Sequence, residues 1–239
     1  MTQIRFLCLT LAVAVSTLLA PSTSAAQTCA GPSLTLTPQI PAMVTLTLTA
    51  PCHPGESLTI SHTGLRFPAR TDDRGGLTLT LPVLTAPARV DLTLADGTVL
   101  TASAPISDLA TVARTALLPI GTPGMHLRAA PAGTRPAISA ANPGQPDLAT
   151  GGFLTLLGDS AQGPQTEVLS LPADTATGRA ALHADVDATS CGHDLLAMIY
   201  SSQPEGAPSA GALTLAMPAC TAPGRQIKVV VDTLPNPAP

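Results

Sequence analysis

The chain contains no tryptophan, one tyrosine and three phenylalanines in 239 residues. Recognition of sugars or unpaired bases commonly relies on exposed aromatic faces, worth roughly 1 to 3 kcal/mol per base in nucleic acid. A carbohydrate-binding or single-strand-binding module therefore has almost no material here. Positive charge is equally scarce, with 11 lysines and arginines against 15 acidic residues, and Lys228 is the sole lysine. This balance gives no clustered basic surface for nucleic acid or an anionic membrane. Also missing are a G-x-x-x-x-G-K loop for nucleotide phosphates, a C-x-x-C pair for zinc, and an apolar run of the roughly 20 residues that span a bilayer as a helix.

At the N-terminus, Met1 to Arg5 carry one positive charge, Phe6 to Ala20 form an apolar run, and Ser24-Ala25-Ala26 put small residues where a signal peptidase reads. Residues 1–26 are thus expected to be a signal peptide cleaved before Gln27, with no stable membrane insertion afterwards. Cys29 stands two residues beyond that cut, out of place for a lipid anchor. The mature 213 residues carry a formal charge of −5 once Arg5 is gone. That length suits two domains of about 100 residues.

Four cysteines remain after Cys8 leaves with the signal: Cys29, Cys52, Cys191 and Cys220. Three pairings are possible. Proximity in sequence favours Cys29–Cys52 and Cys191–Cys220, each closing a loop of about 20 to 30 residues and stabilising by about 3 kcal/mol. Disulfides place the chain in an oxidising compartment, the periplasm or the cell exterior.

Leucine and threonine alternate through Leu34–Thr37, Val44–Thr49, Leu58–Ile60, Leu77–Leu81 and Val90–Leu94. Period two means strands with one buried face. Turn chemistry separates these strands at Pro51–Glu56, Asp72–Gly76 and Asp96-Gly97. The pattern predicts an all-β chain of two consecutive β-sandwich domains of immunoglobulin or transthyretin type: residues 27–106, a connector at 107–115, then 116–234. Strands are expected at 116–120, 125–128, 153–157, 168–171, 180–186, 195–200, 213–217 and 227–231. A Pro/Gly/Ala-rich loop is expected at 129–152 and a disordered tail at 235–239. The stretch Thr71 to Leu79 resembles the hairpin of transthyretin-like and carboxypeptidase-regulatory-like domains.

Three features invite chemistry. Gly158-Asp159-Ser160 after a strand resembles the local arrangement of GDS-type hydrolases, but no Asp-x-x-His follows it. His183, Asp185 and Asp187 share one strand face, with His193 a short loop away, and could hold zinc or calcium; the plain alternative is a solvated face opposite Leu182, Ala184 and Val186. His53, His62 and His126 have no spacing that links them to a nucleophile. Threonines 35, 37, 45, 47, 49, 78 and 80 could form an array, yet no fixed repeat stacks them, and threonine on a strand's solvent face is ordinary.

The segments Pro41 to Cys52, Ser61 to Phe67, Asp96-Gly97, Gly152 to Asp159, Cys191 to Asp194 and Met217 to Cys220 together resemble an uncharacterised family of exported bacterial proteins, some labelled "translocase". The resemblance implies an envelope location and the cysteine placement, and carries over no catalytic residues. The expectation is an exported structural or binding module without catalysis or cofactor, contacting an envelope protein or other cell-surface component. The competing class is a metal-dependent or serine hydrolase using His183, Asp185, Asp187 and His193.

Overall fold

The computed structural model describes residues 29–130, 135–175, 180–204, 207–221 and 224–230. The expected signal peptide and C-terminal tail lie outside these residues. Seven strands come first: β1 (Ser33–Gln39), β2 (Met43–Thr49), β3 (Ser57–His62), β4 (Leu65–Arg70), β5 (Gly76–Pro82), β6 (Ala88–Thr93) and β7 (Val99–Ala104). They form antiparallel sheets of order β1-β2-β5 and β4-β3-β6-β7, the exchange of strands between layers that marks immunoglobulin-like sandwiches. Alternation is the cause. Leu46, Leu48, Leu58, Ile60, Val90 and Leu92 point inward at 0 to 4% exposure, while Thr47, Thr59 and Asp91 between them face solvent or the half-buried margin.

Eight strands follow: β8 (Val112–Ile120), β9 (Met125–Ala129), β10 (Phe153–Leu157), β11 (Thr166–Pro172), β12 (Ala180–Asp185), β13 (Asp194–Ser202), β14 (Ser209–Ala216) and β15 (Gln226–Val230). Their sheets have orders β10-β11-β8-β13-β14 and β15-β12-β9. The chain is all-β as expected, its helical content restricted among the described residues to short 3-10 turns. Both disulfides pair as proximity suggested, Cys29 with Cys52 and Cys191 with Cys220, at Cα separations of 5.7 and 5.0 Å.

The five-stranded sheet is covered on both faces. Leu117, Leu169, Leu171, Leu195, Ala197 and Ile199 pack against Leu127, Leu182 and Ala184 of the three-stranded sheet. From its opposite face, Ala116, Val168 and Tyr200 join the core of the first seven strands. Burial on both sides explains why β8 and β11 lack a two-residue rhythm: each has six consecutive buried residues.

One expectation needs correcting. Residues 112–115 are not part of a connector; they begin β8, because Ala113 and Arg114 are needed inside the molecule, and only the 3-10 turn Leu109–Thr111 and its flanks link the two sets of strands. Among its described residues the stretch 129–152 holds one 3-10 turn, Leu148–Thr150, and no strand beyond Ala129, and it is fastened to the core. Ile138 is buried in the second cluster, and Ala129 and Ser139 make bridges to Ile138 and Asn142.

Candidate functional site

Strand register brings the expected ligand residues to the outer face of the three-stranded sheet. His183 stands opposite His126 on β9 and Lys228 on β15, and Asp185 stands opposite Gln226. Period two fixes the face, because Leu182 and Ala184 are at 0% exposure and send His183 and Asp185 outward. Gln226 then joins the two: His183 Nδ1 donates to Gln226 Oε1 at 2.8 Å, and Gln226 Nε2 donates to Asp185 Oδ1 at 2.5 Å.

Asp187 is drawn into a different task. Its Oδ1 accepts from Thr189 Oγ1 at 2.7 Å, Thr189 N at 2.8 Å and Ser190 N at 2.9 Å, forming the turn that leads to Cys191. The Thr189 hydroxyl and these amides hold its carboxyl down at about 2. His193 is exposed, and its carbonyl accepts from Met217 N at 3.3 Å. Among the described residues no three His, Cys, Asp or Glu side chains converge on a point that could hold a metal ion.

A pair that sequence spacing leaves unlinked lies beside this face. His126 Nδ1 donates to Glu167 Oε1 at 2.7 Å, and Glu167 Oε2 accepts from Leu127 N at 2.5 Å. Glu167 belongs to β11, so the pair ties the five-stranded sheet to β9. Its hydrogen bond raises the imidazole pKa of His126 above the ordinary value, against the opposing effect of partial burial.

The remaining histidines are structural. His62 is buried at 1% exposure. Its Nε2 accepts from Leu84 N at 2.9 Å, so Nδ1 carries the proton donated to Arg89 O at 2.8 Å. Burial lowers its pKa. His53 bonds Glu56 at 2.7 Å, while Glu56 Oε1 accepts from Ala95 N at 2.6 Å. In Gly158-Asp159-Ser160, Asp159 accepts from Ala161 N at 3.0 Å and Gln162 Nε2 at 2.9 Å, and its own amide donates to Pro68 O at 3.0 Å. The tripeptide is a turn seated against β4.

The sheet edges differ in a way that matters for binding. Edge strands expose unpaired backbone groups and are normally guarded by charge, proline or a covering segment. The β4 edge has Arg66, Pro68 and Arg70. On β10, Leu154 N donates to Pro143 O at 2.7 Å. On β9 the Leu127 amide is taken by Glu167 and the Ala129 amide by Ile138 O. β15 carries Lys228, β1 and β7 lie alongside one another, and β5 ends on Pro82 and meets β10.

Among the described residues, β14 has none of these devices. Its sequence Ser209-Ala-Gly-Ala-Leu-Thr-Leu-Ala216 holds no charge and no proline, and it pairs with β13 in unbroken register, without a bulge. On the adjoining β13 Leu196 is exposed by 43%, and its cross-strand neighbour Ile120 on β8, one strand further in, by 47%. Absence of charge was visible in the sequence; that the run is an outermost strand was not. Comparison with protein-family models, with curated proteins and with solved structures finds no match.

Proposed function

We propose that the protein is an exported, non-catalytic binding module of the bacterial cell envelope that takes up an extended segment of another envelope component by strand addition along β14. The resemblance to exported proteins and the two disulfides support the location, since such bridges persist in oxidising compartments. Among the described residues no helix is long and apolar enough to cross a membrane.

The observation that carries the reading is the unguarded β14 edge. Alternate residues of an antiparallel edge strand turn both N–H and C=O outward, so eight residues present about four such pairs. Each backbone bond formed contributes about 0.5 to 1.5 kcal/mol net, and the half-buried Leu213 and Leu215 of β14 itself offer apolar contact to side chains of the incoming strand.

Lysine on an edge is the usual guard against strand addition. Ala212 and Thr214 are exposed, so the double variant A212K/T214K should fold. Mature protein used as bait on intact envelope is expected to retain a specific partner that the variant loses, with far-ultraviolet dichroism and Tm unchanged. Equal recovery by both proteins would overturn the reading.

A further inference from the structure

The outer face of the β1-β2-β5 sheet carries threonine in register across three strands. Thr35 lies opposite Thr47, and Thr47 opposite Thr78; the adjoining row is Thr37, Thr45 and Thr80, and the row on the other side is Ser33, Thr49 and Gly76. No repeat in the sequence was needed, because antiparallel pairing does the stacking. Along a strand, hydroxyls two residues apart repeat at ~6.7 Å, and neighbouring strands repeat at ~4.8 Å.

The grid is held firmly from below and at one end. Val44, Leu46 and Leu48 back it at 0 to 1% exposure. Cys29–Cys52 closes the open end of the β1–β2 hairpin. Threonine is stiff at χ1, and Thr35 Oγ1 donates to Thr47 O at 3.4 Å. None of these outward positions bears a charge or an aromatic ring.

We propose that this threonine grid binds the ordered water of an ice surface. Charge complementarity selects the occupant: a neutral grid of hydroxyls suits a neutral, extended, periodic ligand and offers nothing to an ion or a charged protein patch. Each threonine hydroxyl is one donor and two acceptors, so it can both donate to and accept from lattice water, which donates twice and accepts twice. The two repeats lie close to oxygen repeats on the prism face of ice. Fixing a water from solution costs up to about 2 kcal/mol; lattice water is already fixed, so several weak contacts made at once add up. A crystalline polysaccharide also presents hydroxyls, but this face has no ring on which a sugar could stack.

The test uses mature protein in ice-affinity partition and recrystallisation assays. Wild type is expected to enter growing ice and suppress recrystallisation, T47K at the centre of the grid to lose at least tenfold of that potency, and T59K on exposed β3 to match wild type. Should T47K fail to show a native far-ultraviolet spectrum, T78K at the grid margin decides in its place. Exclusion of wild type from ice overturns the proposal, as does T47K equal to wild type. Binding to crystalline cellulose or chitin without binding to ice also overturns it.

Discussion

Arg114 Nη2 on β8 donates to the carbonyl of Pro41, 2.7 Å away and 73 residues earlier in the chain. The same guanidinium donates to Val83 O at 2.5 Å and, through Nε, to Ser170 Oγ at 3.0 Å, so one side chain at 1% exposure fastens the five-stranded sheet to the first seven strands. Burial brings its pKa down to about 9, which still leaves it charged at neutral pH. Ser202 Oγ to Leu84 O at 2.8 Å and Tyr200 Oη to Gly64 O at 3.0 Å run across the same junction.

Replacing Arg114 with methionine fills the space but strands the Pro41 and Val83 carbonyls in a dry interior. A buried acceptor left unsatisfied costs about 1 to 3 kcal/mol. Urea unfolding of R114M is expected to show a loss of about 2 to 4 kcal/mol, and R114K, which lacks the planar fork, a substantial part of it. Stability within 0.5 kcal/mol of wild type for both variants, about the usual scatter of a surface substitution, would contradict this role.

Two histidines give stability opposite slopes in pH. His62 is lowered by burial, so its contribution is present above its unfolded value near 6.5 and is lost as pH falls through the lower folded value. His126 is raised by its hydrogen bond to Glu167; its contribution is present below 6.5 and is lost as pH rises through the higher folded value. Tm measured across pH 4 to 9 is therefore expected to peak near 6.5. E167Q should flatten the alkaline side and spare the acid side. A separate acid loss is expected as pH falls from about 4, where the unfolded Asp187 carboxyl takes up its proton, through about 2, the value at which the folded one is held.

Strands were legible wherever one face meets water. Leu58, Ile60, Leu77 and Val90 announced β3, β5 and β6, and all eight strands of the second set lie near their expected positions. β4 and β7 are the exceptions: Pro68 and two arginines hide the rhythm of the first, and the second is marked only by the Asp96-Gly97 turn that precedes it. What the sequence conceals is pairing. His126 and Glu167 are 41 residues apart, Arg114 reads as a surface charge, and alternation assigns Thr47 to a face without saying that Thr35 and Thr78 flank it. His183 and Asp185 were correctly placed together; Gln226, which joins them, has no local signature.

The disulfides close loops with separations of 23 and 29 residues, for which chain entropy gives about 3 kcal/mol each. C29A/C52A and C191A/C220A are each expected to lose about that much in urea unfolding. Ellman titration of denatured, unreduced mature protein should find no free thiol, and detection of one or more per chain would contradict the pairing.

Gly75 has φ 79°, and a Cβ there would sit 1.9 Å from Ala50 O, whereas Gly97, at φ 87°, has nothing within 4 Å of its missing Cβ. Both substitutions by alanine strain the backbone, but only the first collides. Thermal unfolding is expected to show a cost of about 3 kcal/mol or more for G75A and about 1 kcal/mol for G97A.

Site-specific photo-crosslinking in living envelope tests the β14 reading most directly, with a benzophenone amino acid at position 212 and a control at position 59. Illumination is expected to yield a discrete adduct from position 212 and none from position 59, with the crosslinked peptide of the partner running extended beside Ser209–Ala216. No adduct at 212, or the same adducts from both positions, would contradict it.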